Sequence, residues 1–172
     1  MANCGRSLLL GLLLAGLQPT NVIAAGPEAC TAIRDAASQT MEAARVRMRQ
    51  VLQLSDGGEV QREWRLIDDR RYRKQGNAAW VEDKRPNDWI QMRGNEISNC
   101  KRADQEVIDG VAATVWTYSR DVEGERGTVK MWVDKTSSRI LRTDVEFEPG
   151  KSRYRRSDSR FDYSNDIERP GA

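Results

Sequence analysis

The sequence predicts an α+β fold: one N-terminal helix followed by an antiparallel β-sheet large enough to curl on itself. Three observations predict it. Apolar residues fall at helical spacing in one Ala-rich segment near the start. Period-two alternation dominates the rest. The alternating runs are separated by short polar, Gly-containing stretches that suit hairpins.

The helix is expected from about Glu28 to Ala43. Ala29, Ile33, Ala36, Ala37, Met41 and Ala44 recur near the 3.6-residue period, and Pro27 suits a first helical turn, where its missing N–H costs nothing. The period then changes. Ala44, Val46, Met48, Leu52 and Leu54 fall on one side of an extended segment, with Arg45, Arg47 and Arg49 on the other. Ser55-Asp56-Gly57-Gly58 reads as a hairpin turn, and Val60 to Ile67 as the returning strand. A third strand is expected at Arg70 to Lys74, ending at Gln75-Gly76-Asn77, and a fourth at Ala79 to Glu82. From Asp83 to Asn99 no period is sustained. That stretch predicts a loop, with a turn of helix or a short strand at Trp89 to Met92.

Alternation returns after Gly110, with Val111/Ala113/Val115/Thr117 opposed to Ala112/Thr114/Trp116/Tyr118. The stretch MWVDKTSSRILRTD then sets a polar run, Asp134 to Arg139, between two alternating segments, Thr128 to Val133 and Ile140 to Glu148. That is the pattern of a hairpin with one buried and one wet face. A last strand is expected at Arg153 to Tyr163. The total is about seven or eight strands, in a meander whose inner face one helix covers only in part.

The first 25 residues read as a secretory signal peptide. Arg6 precedes the apolar run Ser7 to Leu17, and small residues follow up to Ala25, the expected cleavage site. A run of about 11 apolar residues is well short of the ~20 that span a bilayer, so an integral membrane span is not expected. No Cys stands where a lipoprotein box would need it. The remaining chain, residues 26–172, suits one domain. The expected location is therefore the periplasm. Of the 28 basic residues only Arg6 lies in the signal, against 26 acidic residues in all, so the mature chain is nearly neutral. Such a balance argues against nucleic acid as a partner.

With Cys4 in the signal, Cys30 and Cys100 remain as a pair without CxxC spacing, and in an exported chain a disulfide is expected; two unpaired thiols are the alternative. The chain contains no histidine, which excludes Ser-His and Cys-His catalysis and His-based zinc sites. No catalytic residue, metal ligand or cofactor is assigned. A carboxylate pair is the one enzymatic chemistry left open, as a carboxylate-dependent hydrolase.

The C-terminal half carries a further signal. Met131-Trp132-Val133-Asp134-Lys135-Thr136, Arg139-Ile140-Leu141-Arg142 and Phe161-Asp162-Tyr163-Ser164-Asn165-Asp166-Ile167 with Pro170, preceded by Asp109 to Tyr118, resemble exported proteins of the lipoprotein-carrier superfamily that holds LolA, LolB, LppX and RseB types. This chain has Ser138-Arg139 where many relatives have Gly followed by an apolar residue and Pro. The resemblance implies a LolA-like open half-barrel, strongly curved and closed by helices. It implies either a lipid carrier or an envelope-sensing module that binds a protein partner.

On such a sheet the expected apolar ligand pocket comprises Trp64, Trp80, Trp116, Met131, Val133 and Leu141, with Trp89 and Trp132 as further aromatic residues. The same side chains also suit a filled core. Arg45, Arg47 and Arg49 are the candidate head-group site, since three guanidinium groups on one strand face suit a phosphate or carboxylate. The alternative for them is an outer face paired to Glu59 and Glu63 of the next strand. Oligomeric state is not legible.

Overall fold

The computed structural model describes residues 26–90, 92 and 96–171; the expected signal peptide lies outside the described residues. Helix α1 runs Pro27–Met41. It is followed by nine strands, β1 Arg45–Leu54, β2 Glu59–Ile67, β3 Arg70–Gln75, β4 Val81–Lys84, β5 Ile97–Ile108, β6 Val111–Val122, β7 Glu125–Asp134, β8 Ile140–Phe147 and β9 Tyr154–Asp162. They form one antiparallel sheet in the order β4-β3-β2-β1-β9-β8-β7-β6-β5. Two meanders, β1–β4 and β5–β9, are thus joined by the pairing of β1 with β9.

Turn chemistry explains the hairpins. Glu123 and Gly124 both take positive φ (53° and 83°) between β6 and β7, the two-residue geometry that matches strand twist. In the Asp134–Arg139 turn the Asp134 carboxylate accepts from the Thr136 N–H at 2.9 Å and from the Ser137 hydroxyl at 2.5 Å. Ser138 takes φ 56°, at the position where Gly would be unstrained. The polar run between the two alternating segments is therefore a self-bonded turn.

The α1 side of the sheet holds the larger core. Ala29, Ile33, Ala36 and Ala37 of the helix bury against Val129, Met131, Val133, Ile140 and Val145. Small residues on this helix face let it lie close to the strands. Thr40 is fully buried, donates to Ala36 O at 2.8 Å and accepts from the Ile140 N–H at 2.9 Å, which fixes the end of α1 to β8. Cys30 and Cys100 form a disulfide with Cα atoms 5.2 Å apart, tying α1 to β5. The opposite face carries smaller clusters, Ala113/Val115/Trp132 and Ile67/Tyr72/Ile167, and most of the ion pairs.

The helix ends at Met41, two residues before the expected limit. β4 spans Val81–Lys84 where Ala79 to Glu82 was expected. Trp89, Ile90 and Met92 belong to neither helix nor strand, and Gln91 between them is outside the described residues. The strand missing from the sequence reading is β5. Its side chains are exposed on most positions of both faces, and register shifts at Ser98/Lys101 and Arg102/Asp104 break its period, so the apolar alternation that reveals a half-buried strand is absent.

Candidate functional site

The connection from β4 to β5 must cross the sheet from one edge to the other, because these two strands are its opposite borders. Its described residues Ile90 and Met92 pack on the α1 side of the sheet, and with Pro86, Asp88 and Trp89 they roof a cavity of about 490 Å³. Arg85 anchors the start of this segment. Its guanidinium donates to the carbonyls of Met41, Ala43 (2.9 Å), Asp68 (3.3 Å) and Ala44 (3.4 Å), capping the carbonyls left over at the end of α1. Pro86, Trp89, Ile90 and Met92 then line the cavity from above. Trp89 leans on Phe161 of β9 with ring centroids 6.3 Å apart.

The floor follows from register. Met48 lies opposite Trp64 on β2 and Phe161 on β9, and Gln50 opposite Ser159, so these five side chains share the inner face. Leu66, Ile97, Tyr118, Val129, Ile140 and Val145 extend the apolar wall. Gln50 donates to the Ser157 hydroxyl at 3.0 Å, which leaves its own Oε1 buried and unbonded. Three further buried polar atoms of the lining lack a protein partner: Nε1 of Trp89, Nε of Arg71 and Nε of Arg120. Among the described residues the cavity is thus a largely apolar volume whose lining side chains include three buried donors and one buried acceptor without a protein partner.

The expected pocket residues separate. Trp64 lines the cavity. Trp116, Met131 and Val133 are on the same face but pack in the core beneath α1. Trp80 and Leu141 lie on the other face. Trp80 packs on Ile67, Tyr72 and Ile167, with Arg65 at 4.8 Å and Lys74 at 5.0 Å from its ring. Leu141 packs beside Trp132, because a register shift between Trp132 and Val133 sets Ile140 opposite Val133 and turns the following residue outward. Trp132 is on that face too, its indole N–H donating to Glu106 at 2.7 Å.

Arg45, Arg47 and Arg49 alternate with the cavity residues Met48 and Gln50, and so point away from the cavity. Arg45 donates to the Ile167 carbonyl at 2.9 Å, Arg47 pairs with Asp162, and Arg49 sits opposite Glu63 in register. Cavity residues the sequence did not single out are Gln50, Arg71, Arg120, Phe161 and, in the roof, Pro86, Ile90 and Met92, whereas Trp89 was named among the aromatic residues. Phe161 and Gln50 stand at alternating positions and were legible as inward once the face was known. The roof, being irregular, left no period.

The same side of the sheet carries a second depression of about 460 Å³ over β2–β4, lined by Arg62, Trp64, Arg71, Arg73, Gln75 and Val81. Arg71 and Arg73 converge on Asp83 Oδ2 at 3.1 and 2.8 Å. The hydrogen bonds from Arg73 and then Arg71 hold the Asp83 carboxyl below its ordinary range.

No protein-family model matches this chain, and no curated protein matches it. Among solved structures it is similar to the lipoprotein LppX of Mycobacterium tuberculosis, at TM-score 0.53 and 12% identity over 83% of this chain and 98% of that one. It is also similar to MucB, in a structure of MucB in complex with the periplasmic part of MucA, at TM-score 0.50 and 13% identity. That match covers 77% of this chain and 53% of the MucB chain, about half its length. At such identities the likeness is one of fold: the helix and the open, curved nine-stranded antiparallel sheet are the half-barrel of the LppX and MucB type.

Proposed function

We propose that this chain is a non-enzymatic exported protein of the periplasm that binds a lipid or another apolar ligand against the concave face of its sheet. The observation that carries the reading is the roofed cavity of about 490 Å³. Its size falls in the range of about 300–1,000 Å³ typical of small-molecule sites, and its walls are mostly apolar. Burial of hydrocarbon against Met48, Trp64, Ile90 and Phe161 supplies the affinity, at roughly 25 cal/mol per Å² removed from water. Arg45, Arg47 and Arg49 serve a head group only if it reaches around to the outer face.

Native mass spectrometry of protein purified without detergent, followed by organic extraction, tests the reading. A reproducible adduct of lipid mass is expected. A bare chain, lighter by the two hydrogens of one disulfide, would reject it in favour of a protein-binding module of the same fold. That second reading is favoured by the bound MucA of the MucB structure and by β5, a long border strand with Val107 exposed. A carboxylate-dependent hydrolase needs two acids facing one cleft. Among the described residues Asp88 is the one acid in the cavity wall.

A further inference from the structure

We infer that the ligand is a single-chain anionic amphiphile, its hydrocarbon in the roofed cavity and its anionic head in the adjoining Arg62/Arg71/Arg73 depression. The inference rests on the apolar-ligand reading and specifies its substrate class. Two side chains, Trp64 and Arg71, line both spaces, so the apolar cavity and the basic depression adjoin on one face of the sheet. Register explains the arrangement. Arg73 lies opposite Trp64, Arg71 opposite Leu66 and Gln75 opposite Arg62, which puts the three arginines on the face that carries the cavity floor.

Charge then selects the head. Arg71 and Arg73 share the one Asp83 carboxylate. Arg62 donates to neutral groups, the Tyr154 hydroxyl at 3.2 Å and Gln75 Oε1 at 3.4 Å. Among the described residues, the ion pairs of these three guanidinium groups go to one carboxylate, Asp83, with Asp88 farther off in the cavity wall, and the Arg71 Nε is buried without an acceptor. A phosphate, sulfate or carboxylate head satisfies that surplus, and guanidinium geometry suits such oxyanions. Volume selects the tail. A methylene fills nearly the volume of a water in the liquid, about 30 Å³, so the cavity of about 490 Å³ matches one chain of roughly 16 carbons.

Titration calorimetry on the wild-type protein tests this with four probes: palmitoyl lysophosphatidylglycerol, palmitoyl lysophosphatidylcholine, dipalmitoyl phosphatidylglycerol below its aggregation limit, and inorganic phosphate. The anionic single-chain probe is expected to bind at least about tenfold more tightly than the zwitterionic one, and to lose that advantage as salt rises. Arg62→Gln and Arg73→Gln, made separately, are expected to remove most of the preference while zwitterionic binding persists, which also shows that the variants fold. Arg49→Gln, on the outer face, is expected to keep it. Equal binding of both single-chain probes would overturn the anionic head and leave the apolar cavity standing. Equal or tighter binding of the two-chain lipid would overturn the single chain. Phosphate binding as tight as the lysolipid would overturn the joint site, and loss of preference in Arg49→Gln would move the head to the outer stripe. Failure of every acylated probe would overturn the functional reading itself.

Discussion

At the scale of single residues, a few atoms fix where the helix and strands meet. Thr40, Ile140 and Tyr163 form one buried polar knot: the Tyr163 hydroxyl donates to the Ile140 carbonyl at 2.5 Å, and Thr40 accepts from the Ile140 N–H. Tyr163→Phe is expected to cost about 1 kcal/mol by chemical denaturation. Thr40→Val is expected to cost more, about 2 kcal/mol, since it strands a buried backbone N–H. Gly127 makes a sharper case. A Cβ there would stand 2.6 Å from the Glu146 carbonyl oxygen on the neighbouring strand, so backbone rather than side chain must yield. Gly127→Ala is expected to lower stability by about 1–3 kcal/mol, read as a shift in urea midpoint.

At the scale of elements, the disulfide is the main tie between the helix and the border of the sheet. It closes a loop across 70 residues, for which chain entropy gives a stabilisation of about 4 kcal/mol. The Cys30→Ala/Cys100→Ala variant is expected to lose about that much in denaturation, and to show faster amide exchange in α1 than in β1 or β9. Elements also explain what the sequence disclosed. β1, β2, β6, β7 and β8 announced themselves by period-two patterning, although β6 and β7 also bury Ala113, Val115 and Trp132 on the outer face. β5 did not, because its exposed, bulged border position buries only Ile97 and Cys100, too few to make a visible period. The helix was legible because its buried side is a stripe of Ala and Ile. The site was only half legible: alternation says which residues share a face but not which face is covered, and a single bulge at Ile140 sent Leu141 to the other side. The roof over the cavity follows from strand order, a property no local pattern carries.

At the scale of the whole molecule, the absence of histidine gives a specific pH profile. Burial of Asp162 works to raise its pKa, yet the Ser164 N–H and Arg47 prevail and hold it low. Lys130 and the Trp132 indole do the same for Glu106. A folded-state pKa below the unfolded value stabilises above about pH 4 and loses that contribution as pH falls through the folded value. Burial pushes the Tyr118 and Tyr163 hydroxyls up, which stabilises below about pH 10 and is lost as pH rises beyond it. The urea midpoint is thus expected to stay level from about pH 5 to 8, falling on either side. A step near pH 6.5 would contradict this assignment of the titrating groups. The central pairing of β1 with β9 adds a consequence in time. Its partners are separated by most of the chain, and among the described residues it is the one strand pairing that joins the first meander to the second. Neither half can complete the curved floor before the final strand arrives, so refolding belongs to the slow, non-local class of roughly milliseconds to seconds, with the two meanders competing until β9 zips them together.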